Sequence, residues 1–305
     1  MRRQVARRPA SLPRSISLRA APITRRALLR CGMVAAAVVA APTVLAARPI
    51  SFGLTPVFLD SDIELLAALE RYLSGRLGQP VTLVKRRTYQ EITGMLLSEQ
   101  LDAAWICGFP LIQYPERLSL VAVPVYRGQP LYQSYLIAGA QDPAQSIEDL
   151  RGAVHAFSDP DSNSGFLVTR HLLTTLGEKP DTFFSRHFFT YGHRNVVRAV
   201  STGLARCGSV DGYVWDVMSE IEPALTGGTR VVRRSELLGF PPVACNSRTY
   251  GTDVATAIGE ALTTMDADAE GRALLATLRL DGFTAGEDAL FATIAAKYRE
   301  VLAQA

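Results

Sequence analysis

The sequence predicts an α/β protein built on mainly parallel sheets flanked by helices. Short apolar strand-like runs alternate with amphipathic helical stripes from Pro49 onward, and capping patterns stand at several of the expected helix starts. Two longer segments with alternating apolar residues, Val121 to Ala138 and Val231 to Cys245, read as crossings between two lobes; the second contains Gly239-Phe240-Pro241-Pro242. If both cross, one lobe spans 47–130 plus 242–305 and the other spans 131–241. That much chain suffices for one large domain or two of ordinary size.

In chain order, the first segment is a targeting signal. Residues 1–46 hold nine Arg and no Asp, Glu or Lys. Thr24-Arg25-Arg26-Ala27-Leu28-Leu29-Arg30 fits a twin-arginine export signal. The Ala- and Val-rich run from Gly32 to Leu45 is too short for a confident membrane span, and Val44-Leu45-Ala46 offers a small-residue cleavage site. Cys31 precedes the apolar run and is misplaced for a lipoprotein cleavage site. The expected destination is the periplasm. The whole chain has 32 basic and 29 acidic residues, formally +3; without the nine arginines, 23 stand against 29, formally −6. The positive balance therefore belongs to the signal. The longest basic run after it is Lys85-Arg86-Arg87, so no nucleic-acid partner is expected.

Pro49 to Leu54 reads as a strand. Ser61-Asp62-Ile63-Glu64 is a capping box opening a helix with the stripe Leu66, Leu69, Leu73 and Leu77, closed by Gly78. Val81 to Val84 is the next strand, and Thr88-Tyr89-Gln90-Glu91 is a second capping box ahead of Ile92, Met95 and Leu96. Ala103 to Ile106 is a short buried strand, and Ser146-Ile147-Glu148-Asp149 opens another short helix. Ala153 to Phe157 then feeds the polar turn Ser158-Asp159-Pro160-Asp161-Ser162-Asn163-Ser164-Gly165, followed at helical spacing by Phe166, Leu167, His171, Leu172, Leu173 and Leu176. Ser162, Asn163 and Ser164 thus stand at a helix N-terminus, where the first N–H groups lack partners and the dipole is positive. Hydroxyl donors and a glycine at such a point make an anion site; the same residues also serve as an ordinary cap. No internal repeat or low-complexity segment follows residue 46.

Four stretches together resemble the phosphonate-binding proteins of ABC importers. They are Arg87-Thr88-Tyr89-Gln90-Glu91-Ile92, Leu101-Asp102-Ala103-Ala104-Trp105-Ile106-Cys107-Gly108, the segment Ser158 to Val168, and Tyr191-Gly192-His193-Arg194-Asn195 leading to Ser209-Val210-Asp211-Gly212. The resemblance runs from about Ile50 to the C-terminus. It implies a two-lobed type II periplasmic binding protein with its ligand cleft between the lobes, a small phosphorus oxyanion (phosphonate, phosphite or phosphate) as ligand, a membrane ABC permease as partner, and a monomer. Ser162, Asn163 and Ser164 would donate to the ligand from one lobe and Tyr89 from the other. His193 resembles the family's phosphonate-contacting histidine. Asp211 matches the acid that faces the ammonium group in aminophosphonate-binding members. The following Gly212-Tyr213-Val214-Trp215-Asp216 departs from those members' polar stretch, which suggests an aromatic pocket floor of Tyr213 and Trp215 and puts amine recognition in question. Trp105, Ile106 and Cys107 end a buried strand as core or cleft wall.

Enzymatic readings find little to stand on. The four histidines, His155, His171, His187 and His193, show no ligand spacing with one another or with carboxylates, and there is no G-x-S-x-G elbow or P-loop. No metal or cofactor is expected. Cys107, Cys207 and Cys245 fit no zinc pattern and read as three buried free thiols. Two alternatives remain at this level: a periplasmic sensing subunit that serves a signalling partner, and a thiamine-precursor-type enzyme on the same fold.

Overall fold

The computed structural model describes residues 48–56 and 63–304. The twin-arginine segment, the cleavage site at Ala46, Cys31 and the Ser61-Asp62 half of the first capping box lie outside the described residues.

Strands β1 (Ile50–Leu54), β2 (Val81–Lys85), β3 (Ala103–Trp105) and β4 (Leu118–Val125) join β12 (Val243–Asn246) and β13 (Gly282–Thr284) in a six-stranded sheet of order β13-β4-β12-β3-β1-β2. Strands β6 (Ser134–Gly139), β7 (Val154–Phe157), β8 (Arg186–Phe189), β9 (Cys207–Asp211) and β10 (Thr229–Arg234) form a second sheet of order β10-β6-β9-β7-β8. A two-stranded antiparallel ribbon, β5 (Leu131–Tyr132) with β11 (Leu238–Gly239), lies on the two connections between the sheets. Four strands in each sheet share one direction. The exceptions are β12 and β13 in the first sheet and β6 in the second. Leaving out β13, the two sheets have the same plan: β2-β1-β3-β12-β4 matches β8-β7-β9-β6-β10. In each, the reversed strand is the one that enters directly after a crossing. The lobes are therefore topological copies, although no repeat in the sequence announces it.

Local chemistry accounts for most elements. The Thr88–Glu91 capping box forms: Thr88 Oγ1 accepts from the Glu91 N–H, and the Glu91 carboxylate accepts from the Thr88 N–H, opening the helix Tyr89–Leu97. In the helix Ile63–Leu77, Leu69 and Leu73 of the expected stripe are buried together with Leu65 and Tyr72, Leu66 and Leu77 pack partly buried against the same core, and the Tyr72 hydroxyl donates to the Ala261 carbonyl at 3.1 Å. The segment at Ser146 differs from expectation. It forms only the single 3-10 turn Glu148–Leu150, with Asp149 accepting from the Gln145 and Ser146 N–H groups and Gly152, at φ 71°, turning the chain away. All three described cysteines are buried and unpaired. Among the described residues no helix is long and apolar enough to cross a membrane.

Candidate ligand-binding site

Five helical starts meet where the two lobes face each other. Ser162 caps the polar turn, its Oγ accepting from the Gly165 N–H at 3.0 Å; one π-type turn, Asn163–Leu167, leads into the helix Val168–Thr175. Gly165 is required by crowding, since a Cβ there would lie 1.8 Å from Ser158 Oγ. The other starts are Tyr89, Cys107, His193 and Asp211, which begin or cap Tyr89–Leu97, Gly108–Gln113, His193–Ser201 and Gly212–Ile221. His193 is the first residue of its helix.

Hydrogen bonds tie these starts together across the lobes. The Tyr89 N–H donates to Asp159 at 3.1 Å, and the Asn163 N–H donates to Cys107 Sγ at 3.1 Å. Tyr89 Oη lies 3.3 Å from His193 Nε2, while His193 Nδ1 accepts from the Asp211 N–H at 3.1 Å. The backbone donor leaves Nδ1 without a proton, so the neutral ring carries its hydrogen on Nε2 and donates it to Tyr89. Burial pushes His193 down to about 3, so the ring is neutral at physiological pH. Tyr89 Oη then accepts, and its own hydrogen is free for another acceptor.

The electrostatics come from backbone ends and neutral donors. The groups gathered here include no Lys or Arg side chain. Burial raises the carboxyl groups here, Asp159 to about 6 and Asp211 to about 7, and Asp161 of the same turn is raised as well. Asp211 Oδ1 caps its helix by accepting from the Val214 N–H at 3.3 Å. Four buried atoms of this cluster have no hydrogen-bond partner among the described residues: Ser158 Oγ, Ser164 Oγ, Asn163 Oδ1 and Asp211 Oδ2. Buried polar groups are normally paired, so this concentration marks a place built for something else to pair with. Two are hydroxyl donors suited to anion oxygens, and two are acceptors suited to ligand hydrogens.

The structure thus brings Tyr89, Ser162, Asn163, Ser164, His193, Asp211 and Cys107 into one connected cluster. Sequence reasoning missed four members, Ser158 with its unpartnered hydroxyl among them. Asp159 receives the Tyr89 N–H, Tyr132 accepts from Asn163 Nδ2 at 2.9 Å, and Ser134 donates to the Ser164 carbonyl at 2.7 Å. Other residues are occupied elsewhere. Trp105 donates from Nε1 to the Pro241 carbonyl and meets Phe283 edge-on, and the Ile106 N–H donates to the Pro242 carbonyl. The Tyr213 hydroxyl donates to the Leu278 carbonyl at 2.5 Å while its ring packs on Tyr126 and Phe240. Trp215 donates to Thr229 Oγ1 and packs on Tyr135. These contacts of the Tyr213 and Trp215 side chains go to packing around them. No three His, Cys, Asp or Glu side chains among the described residues gather as metal ligands.

The model of a family described as the periplasmic substrate-binding protein of phosphonate ABC transporters matches residues 52–291. Among solved structures, a binding protein component of an ABC phosphonate transporter from Pseudomonas aeruginosa is similar with TM-score 0.77 at 21% identity, covering 85% of this chain and 90% of that one. PhnD1 from Prochlorococcus marinus, solved with methylphosphonate, is similar with TM-score 0.73 at 15% identity, covering 84% and 98%. A histidine kinase sensor domain with similarity to periplasmic binding proteins is more distant, with TM-score 0.54 at 16% identity, covering 76% and 96%. Among curated proteins, none matches. At these identities the structural likeness shows the fold, a type II periplasmic binding protein.

Proposed function

The chain belongs to the periplasmic substrate-binding proteins of phosphonate ABC transporters, and we propose that it captures a small phosphorus oxyanion between its lobes and delivers it to a membrane ABC permease. The lobes are taken as 47–130 plus 242–305 and 131–241, hinged at the β5–β11 ribbon. One observation carries the reading: five helical starts, linked by hydrogen bonds, surround buried hydroxyls that have no partner of their own. Helix N-termini hold anions without a counter-cation, so the ligand can be released as well as bound. Micromolar binding requires about −8 kcal/mol. Hydrogen bonds to a charged group contribute roughly 1.5–3 kcal/mol each. Donation from Ser158, Ser164, Tyr89 and neighbouring N–H groups reaches that level after association costs.

The ligand's second end is set by Asp211. A buried carboxyl with one unpartnered oxygen either accepts from a hydrogen on the ligand or repels a bare dianion. An ammonium tail, or a protonated phosphorus oxygen, meets that requirement. Catalysis is disfavoured by the same geometry. His193 is engaged at both nitrogens, so it has no free site from which to activate a serine.

A calorimetric panel of methylphosphonate, an aminoalkylphosphonate, phosphite and phosphate tests the reading on the protein lacking residues 1–46. At least one should bind with unit stoichiometry and without turnover; silence from all four would remove the function. Export is tested separately. Periplasmic protein should begin at or near Ala47, and replacing Arg25 and Arg26 by Lys should hold the precursor in the cytoplasm; a full-length membrane-bound product would refute the signal.

A further inference from the structure

A cavity of about 270 Å³ lies at the seam where the helix Val168–Thr175, strand β10 and the C-terminal helix Ala292–Ala303 meet. It is distinct from the oxyanion cluster. Ser134 borders it, yet the Ser134 hydroxyl is committed to the Ser164 carbonyl. Arg233 is on its wall. The pairing of β10 with β6 slips at this point, so that Val231 faces Ile137 and Arg233 faces Leu136, with Val232 as the extra residue. Such bulges re-aim side chains, and here the bulge sets Arg233 beside Leu136 on the cavity. The Arg233 side chain has no hydrogen bond, ion pair or ring contact with any described residue.

The opposite wall carries Lys297, which is 8% exposed. Its ammonium donates to Glu236 at 2.6 Å and to His171 Nδ1 at 3.4 Å, and His171 Nε2 in turn faces Glu300 at 2.7 Å. Lysine has three N–H groups, and two are accounted for. Leaving His171 out of the count, the charges lining the cavity are Arg233, Lys297 and Glu236, a formal excess of one positive charge. Leu136, Val168 and Leu172 make the rest of the wall apolar.

We propose that this seam cavity binds a small organic monocarboxylate, held bidentately by the Arg233 fork with its alkyl part against Leu136, Val168 and Leu172. One negative charge balances the lining, which favours a monoanion over a dianion. Guanidinium geometry matches a carboxylate edge, and the apolar wall accepts a short chain.

The probe is pentanoate, titrated calorimetrically into the protein lacking residues 1–46. One site is expected, with butylammonium, similar in length and opposite in charge, giving no heat. Arg233→Gln should weaken pentanoate about tenfold or more, as expected for loss of a bond to a charged group. Because the Arg233 side chain makes no hydrogen bond, ion pair or ring contact with a described residue, the variant's melting temperature should match the parent. Ser164→Ala and saturation with methylphosphonate should leave pentanoate binding unchanged, which separates this site from the oxyanion cluster whether or not that cluster binds methylphosphonate. The proposal is overturned if pentanoate gives no heat, if Arg233→Gln binds it as the parent does, or if Ser164→Ala or methylphosphonate abolishes its binding.

Discussion

His193 is engaged at both ring nitrogens, and that decides what Tyr89 can offer. With Nε2–H donating to its oxygen, the phenol has one hydrogen left and points it to an acceptor outside the pair. Tyr89→Phe removes that hydrogen and little else, since the ring stays packed; affinity for the bound oxyanion should fall by roughly 1–3 kcal/mol with a small change in melting temperature. Ser164→Ala should behave alike, because its hydroxyl has no partner to lose in the ligand-free protein. If both variants bind as the parent does, these are packing residues only. Asp211 adds a pH signature. Its folded value is raised by burial to about 7, against an ordinary 3.8 when unfolded. Between these values the folded protein holds the extra proton, so this residue's stabilising contribution is full below about pH 4 and is lost as pH rises through 7. Asp211→Asn keeps a competent helix cap and removes the titration. Its stability relative to the parent should therefore climb with pH across that window, by up to about 1.4 kcal/mol per unit. Urea unfolding of both proteins at pH 4.5, 5.5 and 6.5 measures the difference; parallel curves would show that Asp211 is not buried as described.

The polar turn after β7 is the element on which the proposed binding rests, and its chemistry is mostly local. Ser162 capping Gly165 three residues on, and glycine at the point of closest approach, are visible in the string Ser162-Asn163-Ser164-Gly165 because both depend on neighbours in sequence. What surrounds the turn was not visible. Asp159 acts on Tyr89 seventy positions away, and Tyr132 receives Asn163 across thirty-one. A carboxylate two residues into a turn looks like turn chemistry until the fold brings another helix start to it. The same limit applies to Tyr213 and Trp215. Their aromatic character was plain, but their direction depends on Leu278 and Thr229, which no local pattern connects to them. The turn also makes a sharp prediction. Gly165→Ala forces a methyl into Ser158, so the turn must open. Such overpacking costs about 1–3 kcal/mol. Oxyanion binding should disappear while the helical circular dichroism of the rest persists. Unchanged affinity would mean that the turn tolerates rearrangement and that its geometry does not define the site.

At the scale of the molecule, the α/β plan followed from the rhythm of apolar runs and the two-lobed reading from the family resemblance, whereas the shared strand order of the two sheets was legible in neither, because topology is copied here without sequence being copied. With the lobes taken as proposed, several contacts run between them. Tyr89 meets His193, the Tyr213 hydroxyl reaches the Leu278 carbonyl, and Arg279 pairs with Glu220 at 2.8 Å. Most exposed ion pairs of this kind contribute little alone. Asp216 differs because it collects three partners on one oxygen: Tyr126 and Tyr135 donate from their hydroxyls at 3.3 Å each, and Arg127 lies at 3.0 Å. Tyr126 and Arg127 follow β4 into the crossing, while Asp216 sits on the helix Gly212–Ile221 of the other lobe. The hub therefore fastens the crossing to the helix that Asp211 caps. Asp216→Ala should shift the ligand-free protein toward open forms, raising the radius of gyration seen by X-ray scattering. Apparent affinity should fall by the same factor as the closed population, since only closed protein makes both sets of contacts. Saturating ligand should restore the compact radius, and at about 100 times the dissociation constant it should add about 2.7 kcal/mol of stability in parent and variant alike. A variant that melts lower but keeps the parent's radius and affinity would make Asp216 a packing residue and leave the hinge to the β5–β11 ribbon.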